Sequence, residues 1–179
     1  MIADSDAPEQ IAWRGKYIIA KTRGRWEYVG RTRNIRAAVI LAVDGGELII
    51  VEQYRVPLGR NCLELPAGLI GDEEDSPGED PLVAAGRELE EETGYRADRF
   101  KDLGTFYSSP GMVSESFTLV RASGLTRVGE GGGTDSEDIT VHRVPLDELE
   151  GFVAAKRAEG CGIDVRLLLA LGQGILEGE

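Results

Sequence analysis

The sequence predicts an α/β fold, a sandwich in which a mixed sheet lies between helices, and three observations predict it. The stretch Gly78–Tyr95 (GEDPLVAAGRELEEETGY) reads as one helix. Segments of strand character lie both before and after it, and the C-terminal part of the chain carries two further helical patterns. With 179 residues and 41% hydrophobic content, one domain with an ordinary core accounts for the length.

Met1–Ala12 is polar, and residues 1–12 are expected to form a flexible N-terminus. Lys16–Thr22, a turn at Gly24 and Trp26–Arg31 read as a β-hairpin, so residues 13–33 are an extension ahead of the main domain at 34–179. Trp26 either packs or offers its indole face to a nucleobase. Ile35–Val43 and Glu47–Tyr54 flank the Asp44-Gly45-Gly46 turn and read as central antiparallel strands, apolar enough to be buried on both faces. Arg55 follows at the strand end, either solvated there or reaching a site. Asn61–Pro66 is a short strand leading into Ala67-Gly68-Leu69-Ile70, a turn whose backbone carbonyls are suited to complete a metal's oxygen shell.

The helix is well specified at both ends. Asp80 is a good N-cap, Pro81 suits the first helical position because its missing N–H costs nothing there, and Gly94 marks the stop. At about 100° per residue, Leu82, Ala85, Gly86 and Leu89 share a face that can pack, while Glu88, Glu91 and Glu92 project from an adjacent sector expected to stay partly exposed. Glu88 and Glu92 are one turn apart, so their carboxylates converge and repel unless a counter-charge sits between them. An oxygen-preferring cation such as Mg2+ or Mn2+ removes that repulsion, and Arg87, four residues before Glu91, can orient it. The plain alternative is a solvated acidic helix face.

After the helix, Lys101–Ser109 and Ser114–Arg121 alternate like strands, joined at Pro110-Gly111-Met112-Val113; Glu115 at this junction faces either a cleft or solvent. Val128–Ser136 is glycine-dense and expected to be mobile. Glu137 and Asp138 follow it, ahead of the strand Ile139–Val144. A carboxylate on a flexible loop beside a metal site is a candidate general base; without that context it is surface charge. His142 within the strand reads as structural. Leu146–Ala158 is an amphipathic helix, and Asp164 looks like the N-cap of a second running to about Leu176.

Composition excludes several classes. Cys62 and Cys161 are too far apart in sequence for a metal-ligand motif, and His142 is the only histidine, so zinc sites and a serine–histidine triad are poorly supplied. No apolar run approaches the roughly 20 residues of a membrane span, and the N-terminus lacks signal character, so a soluble cytoplasmic protein is expected. The net charge of −12 disfavours a nonspecific nucleic-acid binder. That charge is unevenly placed: Gly71–Glu92 holds ten acidic residues against Arg87, whereas Arg14–Arg36 holds eight basic residues against Glu27. A basic segment opposite an acidic, metal-binding one suits a small phosphorylated substrate held between cation and arginines.

Glu79, followed eight residues later by Arg87-Glu88-Leu89-Glu90-Glu91-Glu92-Thr93-Gly94-Tyr95, resembles the signature of the Nudix hydrolases. The family's leading glycine should lie six residues before Glu79, where this chain has Glu73; Gly68 looks like its counterpart, with about five extra residues in an acidic, turn-rich loop within residues 70–77. Trp26-Glu27-Tyr28-Val29, Glu52-Gln53-Tyr54-Arg55, Glu64-Leu65-Pro66-Ala67-Gly68-Leu69-Ile70, Ser109-Pro110-Gly111 and Glu137-Asp138-Ile139 are together similar to the ADP-ribose pyrophosphatase branch. The resemblance implies a Nudix-type α/β/α sandwich that hydrolyses ADP-ribose, or a related nucleoside diphosphate sugar, with two or three Mg2+ or Mn2+ ions. It implies Glu88, Glu92, Glu91 and the Ala67 carbonyl as metal ligands and Glu137, with Glu91, as the catalytic carboxylates. Arg55 and Arg31 would hold the diphosphate, Trp26 would stack on adenine and Glu64 would lie near the terminal sugar. It also implies a homodimer built through the N-terminal strands. A preference for another sugar nucleotide such as GDP-mannose, or a noncatalytic ADP-ribose sensor, are the alternatives.

Overall fold

The computed structural model describes residues 3–33, 35–71, 79–134 and 137–172. The described residues form two sheets. The first is a three-stranded antiparallel unit of β1 (Glu9–Arg14), β2 (Ile18–Arg23) and β3 (Trp26–Arg31). It corrects the expectation of a flexible 1–12 followed by a two-stranded hairpin, because Glu9–Arg14 is a strand paired with β2. Every residue of β1 is exposed, so burial does not order it. Cross-strand polar pairing does: the Glu9 carboxylate meets Lys21 at 2.8 Å and accepts from Tyr28 at 2.5 Å, tying β1 to both other strands.

The second sheet contains β4 (Ala37–Asp44), β5 (Glu47–Arg55), β6 (Arg60–Glu64), β7 (Ala67–Leu69), β8 (Tyr95–Tyr107), β9 (Ser116–Arg127), β10 (Ile139–Pro145) and β11 (Gly162–Ile163). Its order is β11-β6-β5-β4-β9-β8, with β10 also on β5 and β7 also on β4. The β4·β9 and β11·β6 pairs are parallel and the rest antiparallel, so the sheet is mixed as expected. At the turn between β4 and β5, Gly45 and Gly46 both take positive φ, 58° and 82°, which the tight hairpin turn requires.

That hairpin soon splays. β4 and β5 pair only at Val43↔Leu48 and Asp44↔Glu47; beyond this β4 runs with β9 and β7, and β5 with β10 and β6. Leu65–Pro66 links β6 to β7 across the divergence, where the Pro66 carbonyl accepts from Ile40 N–H at 2.8 Å. The split brings Glu64 at the end of β6 and Ala67 at the start of β7 to one opening.

Alternation along β4 buries both faces. Val39 and Leu41 join Leu48, Ile50, Leu63, Leu119, Leu149 and Leu167 on the side of α2 (Leu149–Ala158). Ala38, Ile40 and Ala42 join Ile49, Val120, Ala84, Ala85 and Leu89 on the side of α1 (Pro81–Thr93). The caps of α1 are those read from the sequence: Asp80 accepts from Leu82 N–H at 2.7 Å, and Gly94 turns left-handed at φ 71°.

Three boundaries differ from expectation. The strands expected at 101–109 and 114–121 extend to Tyr95–Tyr107 and Ser116–Arg127; a register shift between Asp102 and Thr105 interrupts the alternation, and much of β8 is exposed. α2 starts at Leu149 rather than Leu146. The second terminal helix is instead a 3-10 turn at Val165–Ala170, capped by Asp164, whose buried residues Leu167 and Ala170 are three apart as that geometry favours. The segment 173–176 and the inserted acidic stretch at 72–77 lie outside the described residues. Among the described residues no helix is long and apolar enough to cross a membrane.

Candidate active site

The opening at the sheet's split is a cleft of about 810 Å3, with the glutamates of α1 on one wall and an arginine–carboxylate network on another. α1 packs against β7, and this changes the environment of its acidic sector. Glu92, expected to be partly exposed, is only 4% exposed, with Ala67 N–H donating to its Oε2 at 3.0 Å. Burial, reinforced by the negative charges of Glu88 and Glu137, pushes the Glu92 carboxyl up to about 8, against the opposing effects of that N–H and of Arg55.

Glu88 leans over the backbone of Gly68 so closely that a Cβ there would fall 1.8 Å from its carboxyl carbon. Only glycine permits the approach, which gives a physical reason for the glycine in Ala67-Gly68-Leu69. Arg87 Nη1 donates to Glu88 at 2.8 Å and lies 3.5 Å from Glu91; Nη2 donates to the Leu69 carbonyl at 3.2 Å and to Glu79 at 3.5 Å. Glu79 also accepts from Gly71 N–H at 2.9 Å. Arg87 therefore ties the helix to β7, a strand where the sequence suggested a turn, rather than orienting Glu91 alone.

Residues 128–134 of the glycine-dense segment, expected from composition to be mobile, are tied to the end of α1 by backbone hydrogen bonds. Gly132 and Gly133 donate N–H bonds to the carbonyls of Glu92 and Glu91, at 2.9 and 3.0 Å, and Val128 and Gly129 donate to Gly94. These are helix-end carbonyls that would otherwise lack partners. Glycine is needed because the backbones nearly touch: a Cβ on Gly131, at φ 72°, would lie 2.4 Å from the carbonyl carbon of Thr93. The docked loop carries Glu137 into the cleft, its Oε2 accepting from Thr134 N–H and Oγ1 at 3.0 and 3.1 Å. Residues 135 and 136 lie outside the described residues.

On the other wall, Arg55 forms a fork on Glu64, Nε to Oε1 at 2.6 Å and Nη2 to Oε2 at 2.8 Å. Arg166 adds a bond to Glu64 at 3.2 Å and a second fork on Asp164. Sequence reasoning missed Arg166: it lies 102 residues from Glu64, and no local pattern joins them. Arg31 reaches the cleft from β3 and donates to Glu115 at 2.7 Å, which settles Glu115 on the cleft side. Its sheet is anchored at the rim by Val29 N–H to the Met112 carbonyl and Ser114 N–H to the Val29 carbonyl, each 2.9 Å. Trp26 is not brought to this cleft; it stands 55% exposed at the start of β3. His142 is structural as expected, 2.9 Å from Glu52 and against the Phe152 ring.

Cys62 borders the cleft, but burial pushes its thiol up to about 12, so it stays a protonated thiol at neutral pH. Among the described residues, no three His, Cys, Asp or Glu side chains stand ready to hold a metal ion. The donor chemistry nonetheless fits a hard divalent cation: a buried carboxyl on Glu92 that resists ionisation beside Glu88 and Glu137 is the environment a cation relieves, and every candidate ligand atom is oxygen.

Residues 32–160 match the family model of the NUDIX domain. The chain is 38% identical over 121 residues to the methanol dehydrogenase activator of Bacillus methanolicus, covering 67% of this chain and 63% of that one. It is 38% identical over 120 residues to the ADP-ribose pyrophosphatase of Bacillus subtilis strain 168, covering 66% and 62%. The matched stretch thus spans less than two thirds of either relative. The fold is similar to a crystal structure of an ADP compounds hydrolase, with TM-score 0.66 and 25% identity, covering 82% of this chain and 80% of that one. The glutamate helix, the Gly68 cradle, the mixed sheet between helices and the family match over residues 32–160 together establish that this chain belongs to the Nudix family.

Proposed function

We propose that this chain is a hydrolase that cleaves the diphosphate of ADP-ribose, or of a related nucleoside diphosphate sugar, in the reaction ADP-ribose + water → AMP + ribose 5-phosphate. The observation that carries the reading is electrostatic. One cleft sets the buried Glu92, crowded by Glu88 and Glu137, near Arg55 and Arg31, an arrangement suited to a diphosphate bound between cations and guanidiniums. Similarity to an ADP-ribose pyrophosphatase and to an ADP compounds hydrolase supports the same chemistry.

Glu88, Glu92 and Glu91, with the Ala67 carbonyl, would hold two or three Mg2+ or Mn2+ ions. Bound there, such ions supply neutralisation of the phosphate oxygens and of the developing charge on the leaving phosphate. The protein's own groups do the rest. Arg55 and Arg31 bind and orient the diphosphate, Glu64 lies beside the terminal sugar, and Glu137 takes the proton from the attacking water. Thr134, bonded to Glu137 through both N–H and hydroxyl, aims that carboxylate.

The N-terminal sheet serves as the contact with a second copy. Ile11, Trp13, Tyr17 and Trp26 on it are each more than half exposed, and pairing of two such sheets in a homodimer would cover them and carry Trp26 toward adenine in a neighbouring cleft. Action on a soluble nucleotide sugar fits a cytoplasmic location.

Hydrolysis of a panel containing ADP-ribose, GDP-mannose, ADP-glucose, NADH and diadenosine polyphosphates, with Mg2+, with Mn2+ and with chelator, tests the reading. AMP released chiefly from ADP-ribose and lost with chelator is expected. Release chiefly from another sugar nucleotide would reassign the substrate, and ADP-ribose binding without turnover of any member would replace the enzyme by a sensor.

A further inference from the structure

Glu64 is 2% exposed, yet two guanidiniums converge on it, and they are held very differently. The Arg55 side chain is 40% exposed and borders the cleft, and among the described residues its side-chain hydrogen bonds go to Glu64 alone. The Arg166 side chain is 21% exposed and is fixed from behind. Its Nε donates to Asp164 Oδ1 at 2.9 Å, its Nη2 to Oδ2 at 2.6 Å, and its backbone N–H to Oδ1 at 2.7 Å. Asp164 is itself set by its N–H to the Leu63 carbonyl at 3.0 Å and by the parallel pairing of β11 with β6, next to Glu64 in the chain.

We propose that Arg166 is a positioning residue: the resident counter-charge that keeps Glu64 paired while Arg55 turns from Glu64 to the diphosphate of the substrate. The inference rests on the substrate class proposed above. A buried carboxylate stripped of its only cation is strongly unfavourable, so a lone Arg55–Glu64 pair would hold Arg55 back from any ligand. Arg166 removes that penalty. It is bonded to the same Oε2 that Arg55 Nη2 uses, and its own forked bond to Asp164 prevents it from leaving with the ligand. Two arginines and two carboxylates balance in charge, and an arriving diphosphate adds the negative charge that draws out the more exposed arginine.

A purely structural strut would also stabilise the Val165–Ala170 turn, so the test must separate the two roles. The dissociation constant of α,β-methylene ADP-ribose, a nonhydrolysable probe, is measured in Mg2+ for wild type, Arg166→Met, Arg166→Lys, Glu64→Gln and the Arg166→Met/Glu64→Gln pair, with melting curves alongside. Arg166→Met should weaken binding about tenfold or more, and Arg166→Lys, which keeps a cation, distinctly less. Arg166→Met should cost distinctly less affinity when added to Glu64→Gln than when added to wild type, because neutralising Glu64 releases Arg55, and the Glu64→Gln single variant supplies the reference that removes any direct effect of Glu64 on the ligand. If Arg166→Met does not fold, Arg166→Gln, which retains a donor toward Asp164, takes its place. Unchanged affinity in the Arg166 variants, or a loss that Glu64→Gln does not relieve, overturns the inference alone. A wild-type protein that fails to bind the probe overturns the functional reading, and this inference with it.

Discussion

Replacing Glu92 with glutamine should stabilise the metal-free protein and do so increasingly with pH. The Glu92 carboxyl is displaced upward from an ordinary 4.5 to about 8, so below pH 4.5 both folded and unfolded chains hold the proton and nothing is gained or lost. Above 4.5 the unfolded chain ionises while the folded one keeps its proton, and stability falls by about 1.4 kcal/mol per pH unit until the folded carboxyl also ionises near 8. At pH 7 the penalty is on the order of 3 kcal/mol, and glutamine, which never ionises and still accepts from Ala67 N–H, avoids it. For a chain of this size that is a rise in Tm of roughly 6–12 °C. Thermal melts of wild type and Glu92→Gln in chelator from pH 4 to 8.5 should coincide at the acid end and diverge upward. Saturating Mg2+ should then close the gap from the wild-type side, since binding replaces the proton with a cation, and should leave the variant unmoved. A variant no more stable than wild type at pH 8 in chelator would refute the reasoning.

Gly68→Ala should lower metal-dependent turnover by about a hundredfold, because its Cβ occupies the position of the Glu88 carboxyl; the kcat of a purified, normally melting variant measures this. Gly131→Ala should cost about 2 kcal/mol or more, since its positive φ is strained for alanine and its Cβ meets the Thr93 backbone, which cannot yield; calorimetry reads the loss, and turnover should fall with it as Glu137 is displaced. Glu52 ties β5 to β6, β10 and α2. Burial opposes its charge, but hydrogen bonds from Lys156, Asn61 and His142 outweigh this and hold its carboxyl at about 2. That stabilisation is present above pH 4.5 and is lost as pH falls from 4.5 toward 2, so Glu52→Gln should flatten the acid limb of a plot of Tm against pH.

What the sequence revealed was decided locally. Asp80, Pro81 and Gly94 cap α1 through bonds within a few residues, and the Asp44-Gly45-Gly46 turn between two apolar runs defines β4 and β5. What it hid depends on distant packing. The burial of Glu92 comes from β7 lying across the helix, which no helical wheel contains. The glycine segment has the composition of a linker, but its N–H groups find the carbonyls of Glu91 and Glu92. β1 is ordered by Glu9 meeting Lys21 and Tyr28, a pairing invisible to a search for apolar alternation. In the site, the resemblance supplied Arg55 and Glu64 as separate groups, while their fork and the second arginine, Arg166, required three segments to be brought together.

The most direct test of the account is AMP release from ADP-ribose by the wild-type protein with Mg2+, after chelator, and after Mg2+ is restored. Turnover that appears with the metal, vanishes with chelator and returns on re-addition, with ribose 5-phosphate formed in equal amount, is the predicted result. AMP formation that persists in chelator, or no AMP from ADP-ribose under any condition, would contradict a carboxylate-held cation site acting on this diphosphate.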